Sequence, residues 1–323
     1  MYETFFGLTE PPFQLTPNPR FLFLTAAHRE ALATLRYGLT SSLGITLLTG
    51  EAGTGKTTLL SAALLAEWRP KDRIAVLSNP TLAPAEFYEM LADRFELPGV
   101  AGSKARFLLA FERDLLDRHR AGGLTAVVID EAQSLTHALF EEVRLLANLE
   151  TATAKLVNVV LVGQPELADR LNDPSLRQLK QRIILRAALA PLDLKSTASY
   201  IAARLRVAGA VPTDVFTKDA VGAIFEASRG IPRIIGVVCE NALLAGYAAQ
   251  KKPVDKAVVI DVCRDLDLPT GGRLPQAEDA PPRPDVSRVW IASRSKPAVP
   301  ERADENEAQE TPVVERPLMF KFF

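Results

Sequence analysis

The sequence predicts an α/β fold in which a mostly parallel sheet, covered by helices on both faces, is followed by a small helical domain. Five short β-branched or aliphatic runs, helical patterns between the first four of them, and a change to helices alone after Pro191 carry that prediction. Parallel strands need crossover helices, so the two patterns alternate.

The chain opens on a segment rich in Phe and Pro (Phe5, Phe6, Pro11, Pro12, Phe13, Pro17, Pro19), and a helical pattern then runs from about Ala26 to Leu39. The runs "GITLLTG", "RIAVLSN", "LTAVVID", "NVVLVG" and "RIILRAAL" are the expected strands. Beyond Pro191, apolar residues recur at helical spacing in "STASYIAARLRVAGA", "TKDAVGAIFEASRG" and "PRIIGVVCENALLAGYAAQ", with Gly209 and Gly230 where helices should stop. From about Pro269 the periodicity ends, and Pro, Ala, Glu and Arg dominate. Such a stretch buries too little apolar surface to offset its ordering entropy, so it is expected to be disordered. Its apolar end, "PLMFKFF", reads either as a short docking peptide or as a terminus with no role. The expected domains are therefore a core at 1–190 that includes the N-terminal segment, a helical lid at 191–268 and a tail at 269–323. No internal repeat is found.

With 323 residues, 47% of them hydrophobic, the chain can bury a sizeable core. A formal net charge of -1 gives no whole-chain field toward nucleic acid or an anionic membrane, although a local basic patch is compatible with it. Cys239 and Cys263 lack metal-ligand spacing and read as packed thiols. The N-terminus has no basic-then-apolar signal pattern, and the apolar stretch around "IIGVVCENALLAGYAA" is interrupted by Glu240 and too short to span a bilayer. The expectation is a soluble, cytoplasmic protein.

"GEAGTGKT", Gly50 to Thr57, fits G-x-x-x-x-G-K-[ST] between a strand-like and a helix-like segment. Gly50, Gly53 and Gly55 let successive N–H groups face phosphate oxygens, Lys56 would neutralise the β- and γ-phosphates, and the Thr57 hydroxyl would ligate Mg²⁺. The expected nucleotide contacts are Gly50, Glu51, Ala52, Gly53, Thr54, Gly55, Lys56, Thr57 and Thr58, at a helix start whose dipole favours anions. Asp130 and Glu131 end the apolar run of "TAVVIDEAQSL". Asp130 is placed to hold Mg²⁺ through water, and Glu131 to orient or deprotonate the attacking water. No guanine-specific N-K-x-D segment is present, which favours ATP.

Phosphoryl transfer spreads negative charge in its transition state, so a polar sensor and an arginine are sought next. Gln164 ends the fourth run. Arg177 and Arg182 precede the fifth, where either is placed to reach a neighbouring subunit's γ-phosphate, Arg182 the favoured one. Arg233 follows Pro232 at a helix start, where a cation opposes the dipole and so hints at a bound anion. His28, His119 and His137 have no partners at metal or triad spacing and read as packing or surface residues.

Assembled, these features resemble the AAA+ ATPases of the general secretion pathway A (ExeA-like) family and, more distantly, TniB-like and TnsC-like transposition ATPases and origin-recognition ATPases. The resemblance covers roughly residues 1 to 265 and rests on "YETFFGLTEPPFQLTPNPRFLFLTAAHREALATLRYGL", "GEAGTGKTT", "VVIDEAQSL", "FEEVRLLANLET", "LVGQPEL", "LRQLKQRI", "YIAARLRVAG" and "GIPRIIGVVCENALLAGYA". It implies an ASCE-type P-loop core with a helical lid, Gln164 as first sensor, Arg233 as second sensor and Arg182 as the finger. It also implies that the segment around Phe13 to Pro19 closes over adenine. The chain departs from the family at Gly236, where Asn is more usual. It also has a polar tail where ExeA continues into a transmembrane helix and a peptidoglycan-binding domain.

The resemblance implies an ATP-hydrolysing homo-oligomer that drives assembly or operation of an envelope secretion or export system, peripheral at the inner membrane through its partners. A second reading is a DNA-bound ATP switch of the transposition type, supported by the basic cluster Arg177, Lys180, Arg182 and Arg186 but not favoured by the near-neutral chain. A third is an interaction protein with ATP as a structural clamp.

Overall fold

Strands form at all five marked runs: β1 (Ile45–Gly50), β2 (Arg73–Leu77), β3 (Thr125–Ile129), β4 (Asn158–Gly163) and β5 (Ile183–Leu189). They make one sheet in the order β2-β3-β4-β1-β5, every pair parallel. The computed structural model describes residues 1–14, 18–65, 69–78, 81–100 and 102–269, all within one unit, Met1–Leu274. The expected tail from 270 onward, with "PLMFKFF", lies outside the described residues, as does Pro17 of the N-terminal segment.

The inner strands are buried along their length, as a sheet covered on both faces requires. Successive side chains go to opposite faces. Leu47, Val127, Ile129, Val159 and Leu161 pack with Phe87, Phe95, Phe107, Phe111 and Phe140 of the helices on one side. Leu48, Ala126, Val128, Val160 and Val162 meet Leu35, Leu39, Leu59 and Leu60 on the other. β5 is an edge strand, and only there does the run leave alternate residues, Ile184 and Arg186 among them, exposed.

The chain opens with α1 (Tyr2–Phe6), and the helices around the sheet are α2 (Ala26–Thr40), α3 (Lys56–Leu64), α4 (Pro84–Arg94), α5 (Lys104–Arg120), α6 (His137–Leu146), α7 (Pro165–Arg170) and α8 (Arg177–Lys180). After them come α9 (Leu194–Val207), α10 (Lys218–Ser228), α11 (Pro232–Ala248) and α12 (Lys256–Asp265). Short polar side chains open many of them: Thr25, Ser103, Thr136, Asp193, Thr217 and Asp255 each accept a backbone N–H of the first turn. Each such cap is worth about 1 kcal/mol.

The sequence pattern names three helices after Pro191, and the fold has a fourth, α12. Its run of valines has low helix propensity, and the burial of Val258, Val259, Val262 and Cys263 against α10 and α11 overrides it. The N-terminal segment differs in allegiance. Tyr2, Phe6, Leu8, Phe13 and Phe21 share their core with Leu205, Ile224, Val238 and Leu243 of the helices after Pro191, and with Phe216 between them, rather than with the sheet. Aromatic side chains spread along an irregular segment carry no period, so sequence alone does not say which face buries them.

Gly230 ties this helical part to the segment leaving β5. It has φ +74°, its carbonyl accepts from Leu192 N at 2.8 Å, and a Cβ there would lie 1.9 Å from the Leu192 carbonyl oxygen. Gly230→Ala is therefore expected to destabilise the protein by about 3 kcal/mol or more in urea denaturation, combining a left-handed strain with a backbone clash. A value near zero would mean that the Leu192 backbone does not crowd this position.

His28, in the first turn of α2, is 7% exposed, with Nδ1 2.6 Å from Thr25 Oγ1 and Nε2 3.5 Å from the Thr54 carbonyl. Burial holds its pKa below the ordinary 6.5, against a smaller opposing pull from Thr54 O. The folded state thus binds this proton less readily than the unfolded chain does. The stabilisation is complete above pH 6.5 and is lost as pH falls through the folded value. Urea midpoints at pH 7.5 and 5.5 should show wild type losing stability on acidification and His28→Gln losing less.

Candidate functional site

Three neighbouring strands, β3, β4 and β1, deliver their carboxyl ends to one edge of the sheet, the usual place for a ligand in an open parallel sheet. β1 runs into the glycine loop and α3. Gly53 and Gly55 have φ +82° and +98°, the left-handed region that glycine enters without strain. Thr54 is buried and folds its hydroxyl onto Glu51 O at 2.8 Å. No side chain caps α3, so the first-turn N–H groups of Lys56, Thr57 and Thr58 lack helical partners and face outward for an anion.

Lys56 is 5% exposed, and its ammonium donates to Gly50 O at 2.8 Å and Glu51 O at 3.0 Å. Burial pushes its pKa down, while Glu131, Asp130, Glu51 and Glu166 push it back up. Asp130 is 6% exposed and has the converse shift: burial raises its pKa against hydrogen bonds that favour the carboxylate. Those bonds come from the Thr57 hydroxyl, 2.9 Å to Oδ2, and from Glu131 N, 2.9 Å to Oδ1.

Glu131 adopts φ +53°, a left-handed turn that lifts its side chain from the end of β3 toward the loop. Gln133 Nε2 donates to Glu131 Oε2, and Gln164 Nε2 approaches the same oxygen at 3.5 Å. The water-activating candidate and the sensor candidate therefore meet.

A cavity of about 480 Å³ opens over the loop. Its floor is residues 52–58 with Glu131, and its far wall comes from the helical part: Leu192, Tyr200, Arg204, Pro232, Arg233 and Gly236. Arg233 N donates to Gly53 O at 3.2 Å, and a Cβ on Gly53 would sit 2.8 Å from Arg233 Cβ. Glycine at 53 is what lets the start of α11 close on the loop. Phe13 and Phe21 of the N-terminal segment line the same cavity. The Arg204 guanidinium lies 5.8, 5.0 and 5.5 Å from the rings of Phe13, Phe21 and Tyr200. It also donates to Pro12 O at 2.5 Å and Tyr200 Oη at 3.1 Å.

The sequence-predicted residues thus fall into three groups. Ala52 to Thr58, Glu131 and Arg233 line the cavity; Gly50 and Glu51 hold Lys56 by their carbonyls; Asp130 and Gln164 stand behind, through Thr57 and Glu131. Arg182 is elsewhere. It precedes β5, its carbonyl accepts from Ile45 N at the amino end of β1, and its guanidinium is held by Asn148 Oδ1 at 2.6 Å and Gln178 O at 2.8 Å. Arg177 sits beside it on α8.

The structure adds Gln133, His28, Tyr200 and Arg204 to the residues that the sequence marks for the site. The only sequence signal for the last pair is their four-residue spacing, which puts Tyr200 and Arg204 on one face of α9.

An AAA domain model matches residues 39–171. General secretion pathway protein A of Aeromonas hydrophila is 45% identical over 249 residues, which is 77% of this chain and 45% of that protein. The chain therefore spans less than half the length of this curated relative. Among solved structures, Cdc6p of Pyrobaculum aerophilum superposes with TM-score 0.61 at 18% identity, covering 79% of this chain and 70% of that one. Drosophila ORC bound to DNA gives TM-score 0.59 at 19% identity, covering 79% and 64%. The parallel sheet, the glycine loop with its paired carboxylates and the matched AAA domain lead to one assignment: the chain carries the fold of an AAA+ P-loop ATPase, and over 77% of its length it is similar to general secretion pathway protein A.

Proposed function

We propose that the chain binds ATP with Mg²⁺ in the cavity between the glycine loop and the helical lid, hydrolyses it, and couples the cycle to assembly or operation of a cell-envelope secretion or export system. The observation that carries the chemistry is the convergence of Lys56, the Thr57–Asp130 pair, Glu131 and Gln164 at three adjacent strand ends. The coupling rests on the 45% identity to general secretion pathway protein A, the pathway being named for that relative.

The donor set fits the cation. One hydroxyl and one carboxylate 2.9 Å apart suit an ion that keeps several waters and takes its other oxygens from phosphates. When bound, Mg²⁺ neutralises charge on the phosphate oxygens. The protein supplies the rest. The N–H groups at the start of α3 orient the phosphates, and Lys56 swings from the Gly50 and Glu51 carbonyls onto them. Glu131 takes the proton of the attacking water, Gln164 holds that water in line, and Arg233 reports the γ-phosphate to the lid. The aromatic wall of Phe13, Phe21 and Tyr200 offers the base a stacking surface.

Within this proposal residues 1–190 and 191–268 act as core and lid, the N-terminal segment bridging them, and 269–323 as a tail. Arg182 serves a neighbouring subunit in a homo-oligomer. Among the described residues no helix is long and apolar enough to cross a membrane. A cytoplasmic chain, held at the inner membrane by its partners, is the placement we propose.

A DNA-bound switch is the second reading. It is favoured by one observation: Arg177, Lys180, Arg182 and Arg186 lie close along the chain and none forms an ion pair among the described residues.

Glu131→Gln should lower turnover by about 10²–10⁴-fold, the usual share of a general base, while retaining ATP binding. Lys56→Ala should lose binding as well. Steady-state hydrolysis and equilibrium titration with a fluorescent ATP analogue separate the two, and unchanged turnover in Glu131→Gln would remove its assigned role. Turnover per subunit is expected to rise with protein concentration, to be indifferent to double-stranded DNA, and to stay flat in Arg182→Ala. Stimulation by DNA of about tenfold, fading with salt, would transfer the assignment to the second reading.

A further inference from the structure

Gln133 stands two residues beyond Glu131, and its side chain makes two contacts of opposite sense. Its Oε1 accepts from Gln164 N at 3.1 Å, and its Nε2 donates to Glu131 Oε2. The orientation of this amide is forced. A backbone N–H can only donate and a carboxylate only accept, so oxygen must face Gln164 and nitrogen must face Glu131. No other side chain of this length bridges such a pair: Glu lacks the donor, and Asn is one methylene shorter.

The surroundings hold the amide in place. Arg170, at the end of α7, donates to the Gln133 carbonyl while its guanidinium lies 4.9 Å from the Phe140 ring. The last residue of β4 is Gly163, where a Cβ would sit 2.8 Å from Gln133 Oε1. Only a bare backbone leaves room for the amide at this strand end. Glu131, by contrast, has a left-handed backbone and lines the cavity, and among the described residues its other side-chain hydrogen bond is the long approach from Gln164.

We infer that Gln133 is a positioning residue for hydrolysis, fixing the Glu131 carboxylate relative to the end of β4 so that base and sensor address one water. It acts through Glu131 and touches no substrate atom. The inference rests on the reading of Glu131 as the base.

The test uses the full chain. Gln133→Glu keeps size and the acceptor toward Gln164 N but replaces the donor with a second carboxylate; Gln133→Ala removes both contacts. Both should lower kcat by ~10–100-fold, less than loss of the base itself, with KM and the affinity for a fluorescent ATP analogue within about twofold of wild type. In single-turnover assays Gln133→Ala should cost nothing further once Glu131 is Gln, because a positioning residue has no effect when the group it positions is gone. Wild-type kcat in Gln133→Glu, a raised KM with kcat unchanged, or an undiminished loss in the Glu131→Gln background would each overturn the inference while leaving Glu131 as the base. Full turnover in Glu131→Gln alone is a different failure, that of the base assignment.

Discussion

The structure is organised around a pair of charges held where water is scarce. Lys56 and Asp130 are almost fully buried beside each other's elements, and burial shifts each toward its neutral form. Neither is fully matched: the ammonium is turned onto backbone carbonyls, and the carboxylate rests on one hydroxyl and one N–H. Desolvated charge without a complete set of partners is costly. In the proposed mechanism phosphates and cation supply the missing partners, so the binding energy of the nucleotide is spent relieving a condition the fold maintains. The order of the sheet follows from the same requirement, because only adjacent β3, β4 and β1 can place carboxylate, sensor and loop within reach of one another.

Two cores meet at the cavity. The sheet provides the charged floor, whereas the far wall is built on the aromatic core shared by α9 to α12 and the N-terminal segment. Arg204 joins these parts: it is carried by α9, surrounded by rings from the N-terminal segment and α9 itself, and bonded to Pro12 O. Among the described residues this cation has no carboxylate partner and is stabilised by ring faces and carbonyl oxygen; in the proposed mechanism the base meets the wall these rings form. Gly53 and Arg233 are the opposite hinge of this arrangement, where lid and loop backbones touch.

Legibility tracks locality. The strands could be read because their residues alternate between two covered faces, and the glycine loop because its demands fall on consecutive residues. The capped helix starts are local too. What could not be read is set by distant partners. α12 is helical against its own valine-rich preference because α10 and α11 bury it. The N-terminal aromatics carry no period, so their attachment to the helical part is invisible until the fold is known. Gln133 lies inside a motif that was recognised, yet its significance comes from Gln164 N, 31 residues later. Arg204 becomes a site residue only through rings at 13 and 21.

Arg182 shows where the logic of one chain stops. Its carbonyl is bonded to the amino end of β1, and the glycine loop begins at the carboxyl end of the same strand. The five steps from Ile45 to Gly50, at roughly 3.3 Å each, separate them by about 17 Å along the strand. No side-chain rotation spans that gap, so Arg182 cannot serve the site of its own chain. Arg204 and Arg233 are the arginines that line the chain's own cavity among the described residues, and Arg204 is already engaged by Pro12 O, Tyr200 Oη and the rings around it. If hydrolysis draws on a second guanidinium, another subunit must bring its own β5 end to this cavity. Asn148 and Gln178 already hold the Arg182 side chain, so its rotamer entropy is largely lost before any neighbour arrives. Pre-ordering of that kind favours a residue meant to be presented rather than one merely solvated.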